Sequence, residues 1–271
     1  LLHALETDGA LYRLPQTYLL ATTAGLPDIV GGHEAWSMAD FLDTAQSHPE
    51  ISSVFAQDDG ASMIQMLLYY APEAFANCGT AQASFDSSDF LRLLELAKRQ
   101  TQPEAESPRE ALLTGQTLLE QLMISRAQYF EEEYADGLNQ LAFPGFPGAG
   151  RASFYLTLPM AIPVNAQEKA GAWAFLKLLM TEPLYAARSR GGWLPVQADF
   201  EKKTAAMTDP DAQRLLRELQ AEAVSVFEYD AAVSGILADE LPYYFADEQT
   251  AEQIADRIQR RVQLYLEETY N

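Results

Sequence analysis

The side chains able to do chemistry are unevenly supplied. The chain holds 39 Asp and Glu, three His and one Cys. Paired carboxylates can act as acid and base on a glycosidic bond, but Asp and Glu pairs recur so often here that counting marks none. Glu131-Glu132-Glu133 reads as a solvated helix face. Asp58-Asp59-Gly60 and Asp209-Pro210-Asp211 hint at calcium, yet neither continues as an EF-hand loop, and turn and helix cap are the better readings. His3, His33 and His48 are scattered and read as surface side chains. A lone thiol, Cys78, closes no internal disulfide and builds no metal or redox motif. The nucleophile elbow, the zinc-protease helix, the phosphate loop and the dinucleotide fingerprint are all missing from the sequence. The expectation is a protein that is not an enzyme and has no metal and no cofactor. Aromatic rings, in contrast, are plentiful, with 13 Tyr, 13 Phe and 3 Trp. Such rings cover the apolar face of a sugar while Asp, Glu, Asn, Gln and Arg bond its hydroxyls. Most of them simply fill a core; Trp36 and Trp173, at helical positions, are expected to pack.

Charge narrows the partners. Eighteen Lys and Arg against 39 Asp and Glu leave a net charge of -21. A chain this acidic repels a nucleic-acid backbone and an anionic lipid surface. A content of 48% hydrophobic residues over 271 positions supports a real core and about two domains or lobes. No apolar run reaches the roughly 18 residues of a membrane helix. The opening Leu1-Leu2-His3-Ala4-Leu5 is not a signal peptide and reads as a start in mid-gene.

The elements that must position these side chains are short and mixed. Leu11 to Leu14 and Tyr18 to Thr23 read as strands, and Gly25 to Glu34 as a loop. Ser37 with Asp40 forms a capping box for a helix Met38 to Gln46. Further helices are expected over Ser62 to Tyr70, Asp89 to Gln100 after a cap at Asp86 or Ser87, from Ser107-Pro108 to about Gly115, and Ser125 to Ala135. Phe143 to Gly150 is a Pro- and Gly-rich loop. Phe154 to Pro163 reads as a strand interrupted by Pro159. Ala166 to Met180 is a helix expected to bury Ala170, Trp173, Ala174, Leu176 and Leu178. Gly191 to Val196 is a loop, and Asp209-Pro210-Asp211 opens a helix to about Ala223. Thr250 and Gln253 cap a last helix whose stripe is Ile254, Ile258, Val262, Tyr265 and Leu266. The fold class is α/β.

Several of these segments together resemble one family. Asp8-Gly9-Ala10-Leu11-Tyr12-Arg13-Leu14-Pro15, Trp36-Ser37-Met38-Ala39-Asp40-Phe41, Cys78-Gly79-Thr80, Phe85-Asp86-Ser87-Ser88-Asp89-Phe90, Ala170 to Lys177, Gly192 to Val196 and Thr250 to Leu266 stand in the order seen in extracellular solute-binding proteins of family 1. These are the carbohydrate-binding components of ATP-binding-cassette importers, the group of maltose-binding protein. Arg13, where the family often has Gly, and Asp247-Glu248, in place of a Gly-containing turn, depart from the pattern.

The resemblance implies a periplasmic-binding-protein type II fold, mainly the C-terminal lobe plus a returning segment of the N-terminal lobe. Residues 1–15 would be a hinge strand, 16–140 the first part of the second lobe, 141–200 the returning first-lobe segment with hinge crossings, and 201–271 the C-terminal helices of the second lobe. Most of the first lobe would lie upstream. It also implies a ligand site drawn from Gln16 and Tyr18 after the hinge proline, Phe154 and Tyr155 on the returning strand, Trp193 in its Gly-Gly loop, and Phe227, Tyr229 and Asp230 before a late helix. Strand neighbours alternate, so one of Phe154 and Tyr155 should face inward. The implied function is capture of a solute, an oligosaccharide, by hinge closure without chemistry. The implied partners are the solute and the importer permease subunits, with no nucleic acid, and the protein is expected to be a monomer. Its implied place is extracellular, as a lipoprotein with signal and anchor upstream, or periplasmic. The alternatives are a carbohydrate-active enzyme domain of glycoside-hydrolase type, or a surface domain without transport.

Overall fold

The computed structural model describes residues 5–7, 10–32, 35–56, 59–181, 194–196, 207–223, 225–226 and 230–270. The chain forms two compact units. The first comprises Leu1–Thr22, Leu122–Asn139 and Ala152–Phe227; the second comprises Thr23–Gln121, Gln140–Arg151 and Glu228–Asn271. Neither unit is a continuous stretch of sequence.

The first unit is built on the start of the strand Thr17–Ala24. Ser153–Thr157 runs antiparallel to it, with Tyr18 opposite Leu156 and Leu20 opposite Phe154. Ser225–Val226 extends that edge in parallel, and Leu194–Pro195 pairs antiparallel with Thr17 and Tyr18. The period of two sorts the side chains. Gln16, Tyr18, Leu20 and Phe154 are buried, while Thr17, Leu19, Tyr155 and Thr157 are half-buried. Tyr18 meets Phe154 edge to face at 5.2 Å. The helices Ala127–Tyr134 and Pro210–Glu222 pack together. Pro210 takes the first turn, where no amide partner is needed, and Asp209 accepts from Ala212 N at 2.7 Å. Glu131, on the other helix, accepts from the amides of Thr208 and Asp209 and from Thr208 Oγ1.

The helix Lys169–Leu179 departs from its expected packing. Only Leu176 and Leu179 are buried; Ala170 and Ala174 are exposed, and Trp173 and Leu178 are about half exposed. The sequence is apolar all round, so periodicity alone fixes no inward face.

The second unit carries Ser53–Phe55 in parallel with the start of the strand Thr117–Ile124, with Ser53 opposite Thr117. Helices surround it. The capping box of Met38–Ser47 is complete, Asp40 N donating to Ser37 Oγ and Ser37 N to Asp40 Oδ2. Asp59, Ser87 and Ser107 cap Gly60–Tyr70, Ser88–Lys98 and Pro108–Leu113. Phe75, Phe85 and Phe90 form a buried aromatic cluster with centroids 5.0–5.8 Å apart. Trp36 is buried and donates its Nε1 hydrogen to Gly145 O at 2.8 Å, joined there by Thr23 Oγ1.

Two helices close this unit, Ala231–Phe245 and Ala251–Tyr270. The Thr250–Gln253 box caps the second, and its stripe buries Ile254, Ile258, Val262 and Leu266, with Tyr265 half-buried. Glu240, buried on the first, receives Arg261 at 2.7 Å and Arg257 at 2.8 Å from the second. Gln259 and Gln263, one turn apart, act as a substitute strand. They accept from the amides of Phe85 and Ala83, and donate to the carbonyls of Ala83 and Ala81.

Three further expectations shift. Gly25 to Glu34 is not wholly loop, because Pro27–Val30 makes one helical turn opened by Pro27. Of Leu11 to Leu14, only Ala10–Leu11 is strand, and Leu14 makes an isolated bridge to Met160. The strand expected over Phe154 to Pro163 stops at Thr157, two residues ahead of Pro159.

Candidate functional site

In the first unit, Tyr18, Phe154 and Tyr155 belong to neighbouring strands, and Gln16 immediately precedes the strand Thr17–Ala24. Three of them are buried. Tyr18 and Phe154 are each 1% exposed, and the Tyr18 hydroxyl accepts from Gln220 Nε2 at 3.0 Å. Gln16 is 4% exposed, and its carbonyl accepts from Val196 N at 3.4 Å. Tyr155 lies on the opposite, more open face, across from Leu19. Tyr155 is thus the ring of this group with access to solvent, and Tyr18 and Phe154 support the strand that carries it.

In the second unit, Asp230 sits at the N-terminus of Ala231–Phe245. Its Oδ1 accepts from the amides of Ala232 and Val233 at 2.9 and 3.1 Å. Its Oδ2 accepts from the hydroxyls of Tyr265 at 3.0 Å and Tyr270 at 3.4 Å. Burial and the Asp230 carboxylate push the Tyr265 phenol up. A hydrogen bond with Cys78, then burial, push the Tyr270 phenol up more strongly. Both phenols therefore keep their protons at neutral pH and serve as donors to Asp230.

Beside Asp230 lies a shallow surface depression with room for about one water molecule. Leu68, Phe85, Val233 and Leu237 give it an apolar floor, and Tyr69, Cys78, Ser234 and Asp230 give it polar atoms. Its walls mix apolar side chains with a few polar groups. Tyr69 and Ser234 on its lining, and Tyr265 and Tyr270 on Asp230, were not legible from the sequence. They come from residues 69 to 270 and share no local spacing. Asp230 was named through the family resemblance.

Trp193, Phe227 and Tyr229 lie outside the described residues. Among the described residues, no group of three or more His, Cys, Asp or Glu could hold a metal ion. No helix among them is long and apolar enough to cross a membrane.

No protein-family model matches the sequence, and no curated protein does. Solved structures do match over almost the whole chain. The sugar-binding protein MalE of Xanthomonas citri is 14% identical, with a TM-score of 0.58, covering 97% of this chain and 73% of that one. An extracellular solute-binding protein family 1 member from Alicyclobacillus acidocaldarius is 14% identical, with a TM-score of 0.55, covering 97% and 74%. The fold is the periplasmic-binding-protein type II fold. A cyclic α-maltosyl-1,6-maltose binding protein from Arthrobacter globiformis shares it at 15% identity, with a TM-score of 0.52 and coverage of 97% and 74%. At these identities the likeness establishes fold.

Proposed function

We propose that this chain captures an oligosaccharide for an ATP-binding-cassette importer, without making or breaking a bond. The observation that carries the reading is the fold, shared with structures described as sugar-binding and maltose-binding proteins. Tyr155 and Asp230 are the described members of the proposed contact set, with Trp193, Phe227 and Tyr229 as further contacts. Gln16, Tyr18 and Phe154 belong to that set as the buried residues beneath it. The lobe scheme is part of the same reading: 16–140 and 201–271 as second lobe, 141–200 as returning first-lobe segment. So are a first lobe encoded upstream, an extracellular or periplasmic place with a lipoprotein anchor, and docking on permease subunits as a monomer.

A thermal-shift screen against malto-oligosaccharides, other glycans, amino acids and short peptides tests it. A ligand at about 100 times its dissociation constant adds about 2.7 kcal/mol, which raises the melting temperature by roughly 5 to 10 °C for a chain of this size. A shift with one glycan class and no product formed is the expected result. A shift only with peptides or amino acids refutes the sugar, and turnover of the glycan refutes the absence of chemistry.

A further inference from the structure

Among the described residues, the strand Ser53–Phe55 pairs with one strand only, the start of Thr117–Ile124. A strand with a free side presents its amides and carbonyls to any other extended chain. Here that side is occupied, though not by a strand. The Val54 amide donates to Gln100 Oε1 at 2.8 Å. Gln100 Nε2 donates to Phe55 O at 3.1 Å and to Ser53 Oγ at 3.2 Å. Beside it, the Thr101 amide donates to Ser52 O at 3.0 Å, and the hydroxyls of Ser52 and Thr101 meet at 2.7 Å. A carboxamide offers both an acceptor and donors, as the peptide group of a neighbouring strand would. Ser53, Val54 and Phe55 are buried beneath this cover, yet Ser52 and Thr101 are exposed and Gln100 is half-buried, so the edge lies at the surface. Gln259 and Gln263 close Ala81 to Phe85 with the same side-chain chemistry. One unit thus has two backbone edges, each finished by glutamine.

We infer that Gln100 is a guard, whose carboxamide denies the Ser53–Phe55 edge to the same edge of a second copy of this chain. A second copy is the intruder to exclude, because it presents the same amides and carbonyls. Two such edges can pair about a two-fold axis and satisfy each other. Without Gln100 the Val54 amide loses its acceptor, and a buried amide left unpaired is costly, so the opened edge gains by pairing. Net charge does not make the guard redundant. The charge of -21 holds copies apart at low salt. At physiological ionic strength that repulsion is screened over about 8 Å, whereas a side chain seated on the edge blocks it at contact whatever the salt. This inference concerns self-association and stands apart from the sugar reading.

The test compares the parent protein with Gln100→Ala and Gln100→Glu at neutral pH, in low salt and in salt enough to screen the net charge. Light scattering reads the mean mass, and infrared absorption reads strand formed between molecules. Gln100→Ala removes acceptor and donors together. Gln100→Glu keeps an acceptor for Val54, loses the donors, and sets a charge on the edge, a device that itself repels strand pairing. Gln100→Ala should raise the mean mass about twofold or more, the rise growing with protein concentration and with salt, and should add intermolecular strand. The parent and Gln100→Glu should show neither change. Association of both variants alike overturns the inference, because lost stability then explains it without the edge. So does a Gln100→Ala protein that stays unassociated, or a parent that associates to the same extent. Should Gln100→Ala fail to fold, Gln100→Asn, whose carboxamide is one methylene short, takes its place with the same expected rise.

Discussion

Asp230 satisfies four donors with one carboxylate, two backbone amides and two phenols. Replacing it with Ala removes a helix cap, which is worth about 1 kcal/mol, and takes away the acceptor of the half-buried Tyr265 hydroxyl. We expect Asp230→Ala to cost about 2 kcal/mol in urea unfolding, and Asp230→Asn, which keeps one acceptor oxygen, to cost less. Glu131 is the acid counterpart in the first unit. Amide donors, the Asp209 N–H foremost, hold its carboxyl below the ordinary value of 4.5. A depressed folded value contributes stability that is fully present above 4.5 and is lost as pH falls through the folded value. Glu131→Gln should therefore flatten the acid limb of the stability curve below about pH 4.5, with the largest difference from the parent at neutral pH. Equal slopes for parent and variant would show that the carboxylate does not titrate with folding. The two residues also show what a sequence discloses. Asp209 was readable as a cap because a cap acts over three residues. That Glu131 reaches Thr208, or that Tyr270 reaches Asp230, depends on tertiary packing that no spacing encodes.

At the scale of elements, the helix starts were the most legible feature, since Ser37, Ser107, Asp209 and Thr250 are local signals. Strand faces were half legible. Alternation required that one of Phe154 and Tyr155 point inward; which one depends on the face that the first unit covers. The helix Lys169–Leu179 was misread in its burial because an all-apolar pattern carries no direction. Glu240 was not singled out at all, being one acid among 39. It now stands as a buried link between two helices, held by Arg257 and Arg261. Glu240→Ala should destabilise by about 2 kcal/mol, less than a fully buried pair because both arginines keep partial access to water. Glu240→Leu, which fills the space, should recover part of that loss. Thermal unfolding of the two variants separates the ion link from the packing.

For the whole molecule, composition spoke to charge and class, and the order of weak motifs spoke to fold. Neither named a ligand. A pI near 4.4 with net charge -21 at neutral pH predicts high solubility at pH 7 and a sharp minimum near pH 4.4, where self-repulsion vanishes. Light scattering across that range should rise there and fall again as pH moves away from it and net charge returns. The glutamines of the last helix reach further. Gln259 and Gln263 complete the hydrogen bonding of a strand edge at Ala81 to Phe85, almost two hundred residues earlier in the chain. Until the helix Ala251–Tyr270 has been made, the amides of Ala83 and Phe85 and the carbonyls of Ala81 and Ala83 lack these partners, so the second unit is completed only when a distant stretch of chain arrives.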